Sequence, residues 1–136
     1  LEQRYDICVP MTYRWYLSTL GRDAGRLFRH DHLAVTLNHV FDLTAHVRER
    51  MKVAGVATEL PGDALVILGR LDGYFQFIRC DGSDDSPVWE LSEDDWRVEG
   101  EPIHASTLDW LEIWCDEAEY AIRSGYYDWV PGGTRP

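Results

Sequence analysis

Seven carboxylates crowd around one tryptophan in FIRCDGSDDSPVWELSEDD, residues 77–95. Three kinds of chemistry use such a crowd: a calcium loop, a pair of carboxylates dividing acid and base roles, or a charged face that meets a basic partner. The calcium template wants ligands at positions one, three and five of a twelve-residue loop, a glycine at six and a bidentate glutamate at twelve. With Asp81 first, Ser83 and Asp85 fall on ligand positions, but Ser86 stands at six and Ser92 at twelve, so the template fails where it is strictest. An acid–base pair among Asp84, Asp85, Glu90, Asp94 and Asp95 needs two carboxylates in unlike environments. Alternation along a strand would scatter these groups over exposed positions, with nothing to hold one of them neutral. The recognition face is the reading that remains.

The rest of the chain offers little competing chemistry. His30-Asp31-His32 has two histidines that share a side only on a strand, and no strand is evident there, so a surface loop is expected in place of a metal site. His104-Ala105-Ser106 lacks a nucleophile elbow. Neither GxGxxG nor a Walker lysine occurs, so no phosphate loop is expected. Cys8, Cys80 and Cys115 have no CxxC spacing; three reduced, mostly buried thiols of a cytoplasmic protein are expected, with no disulfide framework, cofactor or metal.

The distribution of charge sharpens the recognition reading. Residues 1–80 carry nine acids and ten bases, whereas residues 81–136 carry fifteen acids and three bases, so the whole net charge of −11 arises in the second part. A nucleic-acid binder shows the opposite footprint, a basic patch. Direct nucleic-acid binding is therefore not expected, and the asymmetry favours a cationic partner or simple solubility. No apolar run approaches the roughly 20 residues of a membrane span, and residues 1–20 do not read as an export signal.

These acids must be positioned by a small set of elements. Pro10 suits the first turn of a helix that Gly21 would end, with Tyr13, Tyr16, Leu17 and Leu20 on one side. Asp42 is the expected N-cap of a second helix, with Leu43, Val47, Met51 and Ala54 as its stripe and Gly55 as its stop. ALVIL at 64–68 reads as a central strand covered on both faces, and YFQFIRC as its antiparallel partner. Asp81-Gly82 is turn chemistry, and PVWEL follows as a strand with Trp89 and Leu91 on one face and Val88 and Glu90 on the other. A fourth strand is expected at 96–100. Ser106 with Asp109 resembles a capping box opening a last helix, whose expected stripe is Leu108, Leu111, Cys115, Ala118 and Ile122, widened by Trp110 and Trp114, with a stop at Ser124-Gly125. Strands do not alternate with helices, so the expectation is a single α+β domain over 1–136 with an antiparallel meander of about four or more strands and a loosely packed tail at 124–136.

Leu60-Pro61, the strand pair ending in Asp81-Gly82-Ser83-Asp84-Asp85, then Pro87-Val88-Trp89 and Ser106-Thr107-Leu108-Asp109-Trp110-Leu111 together resemble the SUKH superfamily, which includes Smi/Knr-type fungal regulators and bacterial immunity proteins. The likeness covers residues 59–123, and more weakly Val9-Pro10 to Leu20-Gly21; Ser86 stands where members often have proline. The resemblance implies a non-catalytic α+β binding domain, with bacterial members thought to neutralise toxins delivered between competing cells. Joined to the charge asymmetry, it gives the functional expectation: an immunity protein that blocks a protein toxin, such as a basic nuclease domain, with no membrane partner. The expected contact residues are Asp81, Asp84, Asp85, Trp89, Glu90, Asp94, Asp95, Glu112, Asp116 and Glu119. Trp96 and Trp129 are further candidate anchors. The alternative is a regulatory module that scaffolds an intracellular complex without any toxin.

Overall fold

The computed structural model describes residues 6–22, 27, 37–70, 73–98 and 100–125. Helices α1 (Met11–Thr19) and α2 (Leu37–Ala54) precede strands β1 (Ala64–Gly69), β2 (Tyr74–Arg79) and β3 (Trp89–Ser92), and helix α3 (Thr107–Arg123) follows them. The strands form one antiparallel sheet in the order β1-β2-β3. The architecture is α+β, as expected, with three strands among the described residues.

Side-chain alternation sends the sheet's apolar groups to two separate cores. Leu65 lies opposite Ile78 on one face, and Val66 opposite Phe77 on the other. The register shifts between Val66 and Leu68, so Ile67 and Leu68 both join Leu65 and Ile78 in the first core, as a bulge permits. That core is closed by α1 and α3: Tyr13 stacks on Tyr16 at 5.4 Å between ring centres, and Trp110 meets both rings edge-on. The second core sets Val47 and Met51 of α2 against Val66, Phe75, Phe77 and Leu91. Helix α1 ends as expected at Leu20-Gly21, where a Cβ on Gly21 would sit 2.3 Å from the Leu17 carbonyl oxygen. The turn at Pro61 is closed by the Ala64 N–H donating to the Pro61 carbonyl at 2.9 Å.

Several expectations are corrected. Helix α2 starts at Leu37, so Asp42 is an exposed residue within it and not its N-cap; Val40 and Thr44 extend the buried stripe of Val47 and Met51 upstream. Strand β1 is buried at every residue but stands at one end of the sheet, and the central strand is β2. Its outer edge is covered by α2, whose Thr44 hydroxyl accepts from the Val66 N–H at 2.9 Å and donates to the Val40 carbonyl. Covering the edge with a helix removes a free ladder group that would otherwise template further pairing.

No strand forms at 96–98. The Trp96 N–H donates to the Ser92 carbonyl at 2.8 Å, and Trp96 takes a positive φ of 49°, which turns the chain away and lays its ring on Phe75. Residues 103–104 instead meet Val88 at the edge of the sheet. The buried side of α3 is Thr107, Trp110, Leu111, Ala118 and Ala121, so the expected stripe is rotated: Leu108, Cys115 and Ile122 are exposed. Of the three thiols only Cys80 is buried. His30, His32, Tyr126, Tyr127 and Trp129 lie outside the described residues.

Candidate partner-binding surface

The acidic loop is built by hydrogen bonds that join three elements. At its start the Arg79 N–H donates to the Ser86 hydroxyl at 3.0 Å, closing residues 80–85 into a compact turn. Asp81 Oδ1 accepts from the Ser83 N–H at 3.0 Å and the Ser83 hydroxyl at 2.7 Å, with Gly82 between them at φ 94°. Those two donors hold the Asp81 carboxyl below the usual carboxylate range, so it stays ionised.

Asp85 does different work. Its Oδ1 accepts from the Ser86 N–H and from the Thr107 N–H, both at 3.0 Å, while the Thr107 hydroxyl donates to the Ser86 carbonyl at 2.8 Å. The carboxylate therefore satisfies an orphan amide at the start of α3, where the helix dipole favours negative charge. Ser106 accepts from the Asp109 N–H at 2.9 Å and completes that start. The Thr12 N–H of α1 donates to the Asp84 carbonyl at 3.2 Å. The loop is thus tied to the first turns of both helices, leaving Asp81 and Asp84 exposed and Asp85 half-buried.

Beyond this joint the acids run along α3. Asp109, Glu112, Asp116 and Glu119 are spaced three, four and three residues apart, all exposed. At 100° and 1.5 Å per residue they form one band about 15 Å long, opposite the side that buries Trp110 and Ala118. Trp110 fixes that orientation, since its Nε1–H donates to Gln76 Oε1 of β2 at 2.8 Å. Gln76 faces Glu90 across the β2–β3 ladder, so exposed Glu90 lies on the sheet face that carries α3.

The expected contact set is consequently divided. Asp81, Asp84 and Asp85 lie in the loop at the start of α3, Glu90 on the sheet face that carries α3, and Glu112, Asp116 and Glu119 on the outer side of that helix. Trp89 points to the other face, half-buried and stacked on Phe77 at 5.7 Å. Asp94 and Asp95 occupy the turn after β3, where the Glu93 N–H donates to the Gly73 carbonyl and Glu93 pairs with Arg50 of α2 at 2.6 Å. Eight residues of largely extended chain separate Ser86 from Asp94, roughly 25 Å. Trp96 is buried, which removes it as an anchor.

Two apolar residues that sequence reasoning did not single out sit beside the acidic band. Ile113 and Tyr120 are exposed, Tyr120 at 72%, and the helical repeat places them within about 40° of Asp109. That repeat was the available signal; the many apolar residues of this segment obscured which of them faced outward. A groove of about 560 Å³ lies elsewhere, between the end of α2 and residues 55–60. Arg48 at its side donates to the Leu60 and Pro61 carbonyls, which gives that cation a structural task.

Among the described residues, no group of three or more His, Cys, Asp or Glu side chains could hold a metal ion, and no helix is long and apolar enough to cross a membrane. No family model matches the chain, and comparison with curated proteins and with solved structures finds no match.

Proposed function

We propose that this chain is a SUKH-like, non-catalytic binding domain that neutralises a protein toxin delivered between competing bacteria, working in the cytoplasm of the protected cell. The contact surface is the acidic side formed by the 81–86 loop and the outer band of α3. One observation carries the reading: the Asp85 carboxylate bonds the Thr107 amide, which sets the acidic loop at the start of the helix that bears the second run of acids. The fields of the two runs add, and such a surface raises encounter rates with a cationic partner by roughly 10- to 1,000-fold at low salt.

The chemistry of the acids supports recognition over catalysis. A general acid needs a carboxyl held neutral near its working pH, whereas Asp81 is held charged by Ser83 and Asp85 is engaged with two backbone amides. Affinity requires desolvated anchors beside the charges, and Tyr120 and Ile113 supply exposed apolar area there. A basic nuclease domain, whose nucleic-acid site carries the complementary charge, suits this surface.

The test is co-expression with a toxin domain of the proposed kind, a basic nuclease, including any that a neighbouring gene encodes. Protection of cells that is lost when Asp109, Glu112, Asp116 and Glu119 are replaced by their amides supports the reading. Full protection by that variant contradicts the acidic surface, and absence of protection by the unaltered chain contradicts immunity. Recovery of a stable housekeeping assembly, with no toxin bound, would favour a regulatory scaffold.

A further inference from the structure

Helix α3 repeats with a period of seven along the border between its buried and its exposed sides, where Leu108, Cys115 and Ile122 form an exposed row beside buried Leu111 and Ala118. Leu108, Leu111, Cys115, Ala118 and Ile122 are spaced three and four residues apart, the seam of a two-heptad coiled-coil segment. Leu111 and Ala118 lean into the core, but Leu108 and Ile122 are 51% and 52% exposed and Cys115 is exposed between them. Glu112 and Glu119, also seven apart, border this seam on its solvent side at the positions that flank a helical partner.

We infer that this face of α3 receives an amphipathic helix of the partner, whose apolar stripe lies along Leu108, Cys115 and Ile122 and whose lysines or arginines meet Glu112 and Glu119. The inference rests on the binding-surface reading above and specifies the shape of what binds. Charge decides the occupant. An antiparallel second copy would oppose Glu112 and Glu119 with the same glutamates, on a chain already at −11, whereas a cationic helix gains from both the seam and its border. The glutamates set partner choice and the exposed apolar residues supply the buried area.

The probe is a labelled three-heptad peptide with leucine at its seam and lysine at its flanks, titrated into the full chain by fluorescence anisotropy. A scrambled peptide of the same composition and a peptide with glutamate flanks serve as controls. The seamed lysine peptide is expected to bind roughly tenfold or more tighter than the scrambled one. Leu108→Ser with Ile122→Ser should remove that advantage, and Glu112→Lys with Glu119→Lys should transfer preference to the glutamate peptide. Because all four residues are on the surface, circular dichroism of the variants should match that of the parent chain.

Equal binding of the scrambled peptide would overturn the seam. So would a dimer of the chain that the serine variants dissolve, or peptide binding that appears only after residues 126–136 are removed. Toxin binding that responds to salt yet ignores Leu108→Ser and Ile122→Ser would leave the acidic surface standing and end the helix proposal. Selective binding of the seamed peptide by a chain that fails to protect cells would do the reverse.

Discussion

Helix α3 packs on one face of the sheet, whereas α2 covers the β1 edge, giving Val40 to the α3 core and Val47 and Met51 to the other, and the two helices differ in what they do with charge. Helix α2 carries two acids and three bases, and its arginines are used internally: Arg48 reaches the Leu60 and Pro61 carbonyls, and Arg50 pairs with Glu93. Helix α3 carries five acids and one base, and among the described residues only Glu119 of those acids is ion-paired, with Arg123. The two arginines of α2 are thus used by the fold. On α3, apart from the Glu119–Arg123 pair, the exposed acids have no ion partner among the described residues, and it is on them that the proposed recognition surface draws.

The cores beneath the helices differ too, and the largest predicted effect tests that difference. Trp110→Ala should lower unfolding free energy by about 3–5 kcal/mol in denaturant titration, because it empties the centre of the α1–α3 core. Trp110→Phe keeps most of the volume and loses the bond to Gln76, at a cost of about 1–2 kcal/mol. An equal loss for both would show that the hydrogen bond, not the packing, holds α3 to the sheet.

On the α2 face the corresponding joint is polar. Thr44→Val leaves the Val66 N–H buried without its acceptor and should cost about 1–3 kcal/mol, with faster hydrogen exchange at that amide. Unchanged exchange would mean that the edge of β1 is guarded by burial alone. Asp85→Ala should cost about 1 kcal/mol through loss of the cap at Thr107, while Asp84→Ala should leave stability within about 0.5 kcal/mol. Equal effects of the two would erase the distinction between a structural and a surface aspartate in one loop.

One effect has the opposite sign. The Tyr13 hydroxyl is buried with no hydrogen-bond partner among the described residues, so Tyr13→Phe should stabilise by about 1 kcal/mol. Burial pushes the Tyr13 and Tyr16 phenols above their ordinary value of 10.0. The stability they contribute is complete below that pH and is lost as pH rises past it toward the folded-state values. The phenylalanine variant should therefore lose stability less steeply above pH 10, read by thermal melts across the alkaline range. A matching slope would remove Tyr13 as a source of the alkaline loss.

How much of this was legible depended on how local the determining interaction is. The strand pair, the Asp81-Gly82 turn, the proline before α1 and the serine before α3 are set by neighbours in sequence, and they were readable. The start of α2 was missed because Asp42 looks like a cap while Val40, two residues earlier, is already buried within the helix. The rotation of α3 was missed because Leu108, Ile113, Tyr120 and Ile122 are apolar yet exposed, and hydrophobicity alone cannot say which apolar side the core takes. The role of Asp85 needed a contact 22 residues away, beyond any local pattern. Of the expected contact residues, Asp85 is tied to the start of α3 and Glu90 shares its side of the sheet, while Trp89 faces the other side and Asp94 and Asp95 lie in the turn after β3.

The central claim is that α3, and not α2, steers a cationic partner. Stopped-flow association with a basic nuclease domain, the proposed kind of partner, measures it, at low and at physiological salt, for the parent, for Asp109→Asn/Glu112→Gln/Asp116→Asn/Glu119→Gln, and for Asp42→Asn/Glu49→Gln on α2. The account predicts a parent rate that falls with salt, a rate roughly tenfold or more slower and nearly salt-independent for the α3 variant, and parent-like behaviour for the α2 variant. A rate indifferent to salt, or one slowed equally by both variants, would contradict it.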